Sequence, residues 1–354
     1  MKCIEAKDLC FGYQKRKPVF ENISFRIEIP EKKGHIVAIT GSSGCGKKTL
    51  LKLLLGIETS YEGTLISNPL NPIFSYVPQE PILFEHLSTK ENARYFERIA
   101  FYKNKFDDKL FSELVDALDL KDIVKSDKSV NKISGGQKQR LSLLRALSIK
   151  PDFLLMDEPL TGLDNEVKEN FLIKLLEITN QFGLIVFYVS HHTDEIKLIS
   201  NEVIYMVNKI GEHVSSIEHG PIEEFIRNPP SIGASRVFND TNYNTINISN
   251  LKIGDAAITH VNDFISEECN YLGFNNDSIT FVPEEGIKFV IVSKTTLYTM
   301  LRLIGCNQFI KIETIEYTKK NPKNYTFLHL DQHVHQYNKD GLRIKNREKQ
   351  KYER

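Results

Sequence analysis

The residues best equipped for chemistry lie between Gly41 and Thr49, which read G-S-S-G-C-G-K-K-T. Gly41, Gly44 and Gly46 let the backbone turn tightly and aim its N–H groups inward, past Ser42, Ser43 and Cys45. An apolar run precedes the loop and L-L-K-L-L-L-G follows it, so the pattern predicts strand, loop and helix in that order. The helix N-terminus adds partial positive charge, which makes the loop a seat for anionic phosphates. Lys47 would reach the β- and γ-phosphates of a nucleotide. A glycine-rich turn that binds nothing is the alternative, and the strand–loop–helix context disfavours it. One position departs from this chemistry. A hydroxyl after the lysine ligates magnesium, whereas Lys48 offers an ammonium and no oxygen. Residues entering a helix are rotated by about 100° from one to the next, so Thr49 does not take over the hydroxyl's place. Nucleotide binding survives this change, and metal-assisted hydrolysis is put in question.

Such a loop needs a parallel sheet behind it, and the chain is long enough to build one. Its 354 residues suit two domains rather than one. With 41% hydrophobic and 26% charged residues, neither a disordered nor a fibrous protein fits. Lys plus Arg equals Asp plus Glu at 46 each, which weighs against a dedicated nucleic-acid binder. No apolar stretch approaches the ~18 to 20 residues that span a bilayer, and the N-terminus has no secretory core. Five scattered cysteines without a C-x-x-C pair argue against disulfides or zinc and for the reducing cytoplasm. Two alternating runs before residue 30 predict an antiparallel pair, and H-I-V-A-I-T a buried parallel strand. Residues 80–150 read as mostly helical, with E-N-A-R-Y-F-E-R-I-A-F-Y and L-F-S-E-L-V-D-A-L as amphipathic stretches. Strands at Phe153–Met156 and Leu184–Val189 flank a helix near Asn165–Thr179. That alternation means a parallel sheet with helices packed on it. We expect a domain over 1–228, a linker at 229–240 around N-P-P-S, a β-rich domain over 241–335 and a charged, frayed or helical tail over 336–354.

Further motifs narrow the reading. In order come Y-V-P-Q with Gln79, I-S-G-G-Q at Ile133–Gln137, F-L-L-M-D-E-P ending in Asp157, Glu158 and Pro159, T-G-L-D at Thr161–Asp164, and V-S-H at Val189–His191. With the phosphate loop, this set resembles the nucleotide-binding subunits of ATP-binding cassette (ABC) transporters, over roughly residues 1–228. The resemblance implies an α/β fold: a P-loop NTPase cassette with a parallel-sheet core, an antiparallel β subdomain and a helical subdomain. It implies ATP and Mg²⁺ as ligands, with Asp157 and Gln79 on the metal. Glu158 becomes the base that polarises an attacking water, and His191 the sensor of the γ-phosphate; His192 sits where the family commonly has an acid. Tyr13 occupies the place of an aromatic ring stacked on adenine, although by pattern alone a core tyrosine is equally good. Ser134, Gly135, Gly136 and Gln137, with Asp164, belong to the nucleotide-contacting motifs. In the family the signature residues Ser134, Gly135 and Gly136 touch the nucleotide of the opposite subunit, so the resemblance implies a head-to-tail dimer around two ATP molecules.

Without a membrane span, transport requires separate permease subunits, as in bacterial importers, and places the chain at the inner face of the cell membrane. Phe84–Phe96 resembles the face that such subunits offer to a permease; an ordinary amphipathic helix is the alternative. G-P-I-E-E-F and the residues after it resemble the end of the cassette in importers of molybdate, sulfate, polyamines and sugars, which carry a small regulatory β-domain. An extracytoplasmic binding protein would belong to the same system. The reading leans to an oxyanion cargo such as molybdate, tungstate or sulfate. The alternatives are an ATPase outside transport and a nucleotide-binding subunit whose hydrolysis Lys48 impairs.

Overall fold

The computed structural model describes residues 2–14, 17–29, 33–59, 61–99, 106–208, 214–238, 243–247, 269–275, 279–282, 287–294, 298–303, 308–321, 323, 327–330, 334–337, 340 and 342–344. The chain divides into two compact units, Met1–Ile222 and Glu223–Arg354.

The first unit is built on nine strands: β1 (Lys2–Phe11), β2 (Phe20–Ile29), β3 (His35–Gly41), β4 (Glu62–Asn68), β5 (Phe74–Val77), β6 (Phe153–Asp157), β7 (Ile185–Val189), β8 (Glu202–Asn208) and β9 (Ser215–Pro221). They form one sheet in the order β4-β1-β2-β9-β8-β3-β7-β6-β5. At one end β4, β1 and β2 pair antiparallel. Their alternating pattern buries Ile23, Phe25, Ile27 and Ile29 on one face and leaves the polar residues between them outside. At the other end β8, β3, β7, β6 and β5 run parallel. The central positions of β8, β3, β7 and β6 are apolar on both faces because both faces are covered, and their polar residues sit mostly at strand ends. Phe153 and Leu155 join one core cluster with Ile39 and Phe187, while Leu154 and Met156 join another with Tyr188 and the flanking helices.

The helical region differs from expectation in detail. The stretch from Glu91 to Tyr102 is not one helix: Thr89–Ala93 is helical, Tyr95–Arg98 is a 3₁₀ turn, and residues 100–105 lie outside the described residues. The buried Asn92 side chain breaks the periodicity. It accepts from the Phe84 N–H (2.8 Å) and donates to the carbonyls of Phe84, Leu87 and Ser88. Those bonds fold residues 84–88 back on the short helix instead of extending it.

The second unit holds β10 (Tyr243–Asn247), β11 (Tyr271–Asn275), β12 (Ile279–Val282), β13 (Ile287–Lys294), β14 (Tyr298–Leu303), β15 (Phe309–Glu313), β16 (Phe327–Leu330) and β17 (His335–Tyr337). They form sheets in the orders β10-β11-β17 and β12-β16-β13-β14-β15, with antiparallel pairing. The division after Ile222 precedes the expected linker, and within that linker Ile232–Phe238 is a helix with Ala234 and Phe238 fully buried. The expected tail begins later than residue 336. Gln336 and Tyr337 are buried in β17, and Arg343 donates its N–H to the Pro230 carbonyl. Residues 345–354, the A-A-I-T run and Asn242 lie outside the described residues.

Low in the first unit, Glu202 joins three strands. One carboxylate oxygen meets His35 Nε2 at 3.1 Å and the other meets His219 Nε2 at 2.7 Å. The His219 bond, then the His35 bond, pull the Glu202 carboxyl down to about 2. A carboxylate depressed in the folded state contributes stability above its ordinary range and loses it as pH falls toward 2. The stability gap between the native chain and Glu202→Gln, from urea unfolding, should therefore shrink as pH falls below 4.5 toward 3. A gap constant over that range would show that the triad is not charge-based. Because the first unit carries its own sheet and core, a fragment ending at Ile222 should unfold cooperatively on heating and still bind ATP. Aggregation of that fragment alone would mean that later residues complete its core.

Candidate functional site

Four parallel neighbours deliver the candidate residues to one edge. Ile39, Val189 and Asp157 stand side by side on β3, β7 and β6, and Val77 of β5 pairs with Met156. Just beyond that row lie Gly41, the last residue of β3, and His191, Glu158 and Gln79, each past the C-terminal end of its strand, where ligands of such sheets bind.

The loop from Gly41 to Gly46 leads into the helix Lys47–Leu54. Gly41 has φ 146°, and a Cβ there would sit 2.1 Å from the Met206 carbonyl oxygen; Gly46 has φ 91° and lies against the Phe20 ring. Only glycine fits these two positions. Ser42, Ser43 and Gly44 are exposed, while Cys45 is buried with its carbonyl accepting from Ser215 Oγ at 2.8 Å. Lys47 folds back onto the loop, its ammonium donating to the carbonyls of Gly41 (2.9 Å) and Ser42 (3.0 Å). Thr49 is buried, its hydroxyl 3.4 Å from the Tyr13 hydroxyl. Tyr13 itself is 56% exposed, with Phe11 edge-on to its ring and the Lys52 ammonium 5.6 Å from the ring centre. It is not a core tyrosine.

Lys48 leaves the loop toward the acids. Its ammonium lies 3.3 Å from Gln79 Oε1 and 3.4 Å from Asp157 Oδ2, with the side chain 63% exposed. Asp157 is 3% exposed, and its other oxygen, Oδ1, is bonded to nothing among the described residues. Burial raises the Asp157 carboxyl above the ordinary range, against the lowering pull of Lys48. Tyr76, which sequence reasoning missed, donates its hydroxyl to Asp157 Oδ2 at 3.4 Å. Burial, then the Asp157 charge, push the Tyr76 phenol up to about 12. Asp157 and Gln79 are oxygen donors of the kind magnesium takes, but an ammonium stands between them where a third donor would be. The donor set does not fit a divalent metal in this arrangement, and no group of three or more His, Cys, Asp or Glu among the described residues could hold one elsewhere.

Glu158 takes φ 45°, a conformation rare for residues with a side chain, and its N–H donates to the Val189 carbonyl at 3.0 Å. Its Oε1 is 3.4 Å from Nδ1 of His191, whose ring packs 4.0 Å from that of His192. A second acid, also missed, anchors this histidine loop. Glu195, nearly buried, accepts 2.8 Å bonds from Tyr188 OH and Ser190 Oγ and faces the Lys168 ammonium at 3.5 Å. Ser190 Oγ in turn accepts from the His192 N–H at 3.0 Å. No periodicity signals this hub; only the buried Tyr188 hydroxyl, which must find a partner, could have pointed to it.

The signature residues open the helix Gly135–Leu147. Ser134 caps it, with its hydroxyl accepting from the Gln137 N–H (3.2 Å) and Gln137 Oε1 accepting from the Ser134 N–H (3.0 Å). Among the described residues a Cβ at Gly135 would meet nothing within 4 Å, and one at Gly136 only a Val167 methyl at 3.4 Å. Asp164 caps the next helix, Asn165–Phe182, by accepting from the Val167 N–H at 3.0 Å. The structure brings Lys47, Lys48, Gln79, Asp157, Glu158 and His191 to one sheet edge, whereas Ser134 and Asp164 are held by helix caps of their own.

The chain matches the family described as ABC transporter over residues 20–161. The Fe(3+) ions import ATP-binding protein FbpC of Pasteurella multocida is 32% identical over 257 residues, covering 68% of this chain and 70% of that protein. The molybdenum import ATP-binding protein ModC of Hahella chejuensis is 34% identical over 207 residues, 55% of each chain. Among solved structures, a bacterial Atm1-family ABC exporter with ATP bound shares the fold at a TM-score of 0.54 and 21% identity, over 67% of this chain and 41% of that one.

Glu195→Ala would strand two buried hydroxyls and the Lys168 charge. It should cost about 2–4 kcal/mol in denaturant unfolding. Glu195→Gln keeps one oxygen acceptor and should cost less. Equal stability of both variants with the native chain would refute the anchoring role.

Proposed function

Since this chain belongs to the ATP-binding subunits of ABC importers, we propose that two copies close head to tail around two ATP molecules and so drive a permease. ATP hydrolysis coupled to transport is the activity of the family. Among the described residues no helix is long and apolar enough to cross a membrane, so the membrane-spanning part is assigned to permease subunits, with this chain docked on their inner side. Phe84–Phe96 is the proposed docking segment: the Phe84 ring packs on Tyr95 at 4.3 Å, which gives it a fixed shape.

The observation that carries the dimer is the open space at Gly135 and Gly136. Glycines at a capped helix N-terminus, uncrowded by their own chain, suit the close approach of an anion held elsewhere. One phosphate loop and one signature per chain then make two composite sites per dimer. Within each, Tyr13 offers its exposed ring to the base, and Lys47 turns from the loop carbonyls to the terminal phosphates. Glu158 accepts a proton from the attacking water, and His191, within reach of Glu158, registers the γ-phosphate. Magnesium is the metal the family's chemistry implies; Asp157 and Gln79 are the oxygens that would meet it, but with Lys48 between them the residues present do not fit it.

For cargo we propose a small inorganic ion. The notion of an oxyanion draws support from the molybdenum-importing relative, and the Fe(3+)-importing relative argues for a metal ion instead. A binding protein outside the membrane would hand the ion to the permease, and Glu223–Arg354 is the proposed regulatory unit.

Glu158→Gln keeps the side chain's shape and removes the base. With excess ATP it should sediment as a dimer and without nucleotide as a monomer. A monomer at every protein and nucleotide concentration would sink the composite-site reading.

A further inference from the structure

We propose that the Lys48 ammonium acts as a built-in counter-ion for the nucleotide phosphates, standing in the divalent metal's position, so that this chain binds ATP without magnesium. The proposal rests on the ATP-binding reading and concerns what neutralises the nucleotide there.

Three observations converge on it. Lys48 is the second residue of the helix that the phosphate loop feeds, so its side chain starts beside the place where that loop would seat phosphates. Its ammonium is within 3.4 Å of the Asp157 carboxylate and 3.3 Å of the Gln79 carbonyl, the two groups that would otherwise hold a metal. Asp157, almost wholly buried and with Oδ1 unpartnered among the described residues, needs a cation beside it, and Lys48 supplies one. A magnesium ion entering between the same two oxygens would meet a positive charge at contact distance. Its third protein donor would also be missing, because the next hydroxyl, that of Thr49, is buried against Tyr13. The Lys48 stem is flexible and largely exposed, so the ammonium can lean from Asp157 toward a phosphate oxygen without leaving the site. Lys47 and Lys48 together then bring two positive charges to the phosphates, where a lysine and magnesium would bring three. Binding survives that exchange, but an ammonium cannot impose the fixed octahedral geometry of magnesium.

The test is the affinity of the full chain for trinitrophenyl-ATP, by fluorescence, with magnesium and with EDTA. The native chain should change its Kd by less than about threefold between the two buffers. Lys48→Thr restores a ligating hydroxyl and should bind at least about tenfold more tightly with magnesium than with EDTA. Lys48→Met, which lacks both charge and oxygen, should bind at least about tenfold more weakly than the native chain in EDTA. A native chain that loses tenfold or more in EDTA overturns the proposal by itself, whether or not the variants fold, and leaves the ATP-binding reading intact. No binding in either buffer overturns both.

Discussion

A buried carboxylate with one oxygen on an ammonium and the other without a partner among the described residues is the point around which this site is organised. Asp157 ends a strand whose other four residues are apolar and buried, so it is carried into a low-dielectric edge where an unpaired charge is costly. Lys48 meets that requirement from the phosphate loop, Gln79 from the end of the neighbouring strand and Tyr76 from within it. The contact therefore ties β5, β6 and the phosphate-loop helix together, and the nucleotide's phosphates would have to enter beside it.

The geometry depends on register more than on any single bond. Ile39, Val189 and Asp157 are level across three parallel strands, so loop, histidine and acid emerge at the same height. A two-residue period makes register strict here, because a one-residue slip would exchange the two core faces and turn Asp157 with them. The Glu158 N–H bonded to the Val189 carbonyl continues that row past the strand end, and the Glu195 hub holds the histidine loop from below.

Much of this was legible in the sequence where the physics is local. A glycine pattern between an apolar strand and a helix, or two acids after F-L-L-M, depends on neighbours in the chain. Glu195 was not legible: T-D-E-I-K reads as a surface helix start, and its burial follows from Tyr188, Ser190 and Lys168 arriving together. The helix Ile232–Phe238 was hidden by the prolines before it and by Gly233 and Ser235 within it; burial of Ala234 and Phe238 outweighs those poor helix formers. The strand at His335–Tyr337 was missed because three residues carry no periodicity, and its partner β11 is far away in the chain. Lys48 stood out by type, but its partners depended on where the sheet places Gln79 and Asp157.

The glycines separate what the chain needs for itself from what it needs for others. At Gly41 and Gly46 a side chain would run into the Met206 carbonyl or the Phe20 ring, so the fold alone accounts for them. At Gly135 and Gly136 the chain's own atoms leave room, and glycine in a helix's first turn is a poor choice for helix stability. A residue type that its own fold does not require, and that weakens the element bearing it, is best accounted for by something that approaches from outside. The capping box at Ser134 and Gln137 keeps the helix N-terminus in place despite those glycines, with the N–H groups beyond the cap free to meet an anion. Lys48 poses the complementary case. It is a long charged side chain at a position where the phosphate loop of its family has a small hydroxyl, and its own chain does account for it, through Asp157. The two positions therefore divide the labour: on the proposed reading the signature glycines leave room for a second chain's phosphates, while the lysine settles a charge within its own chain.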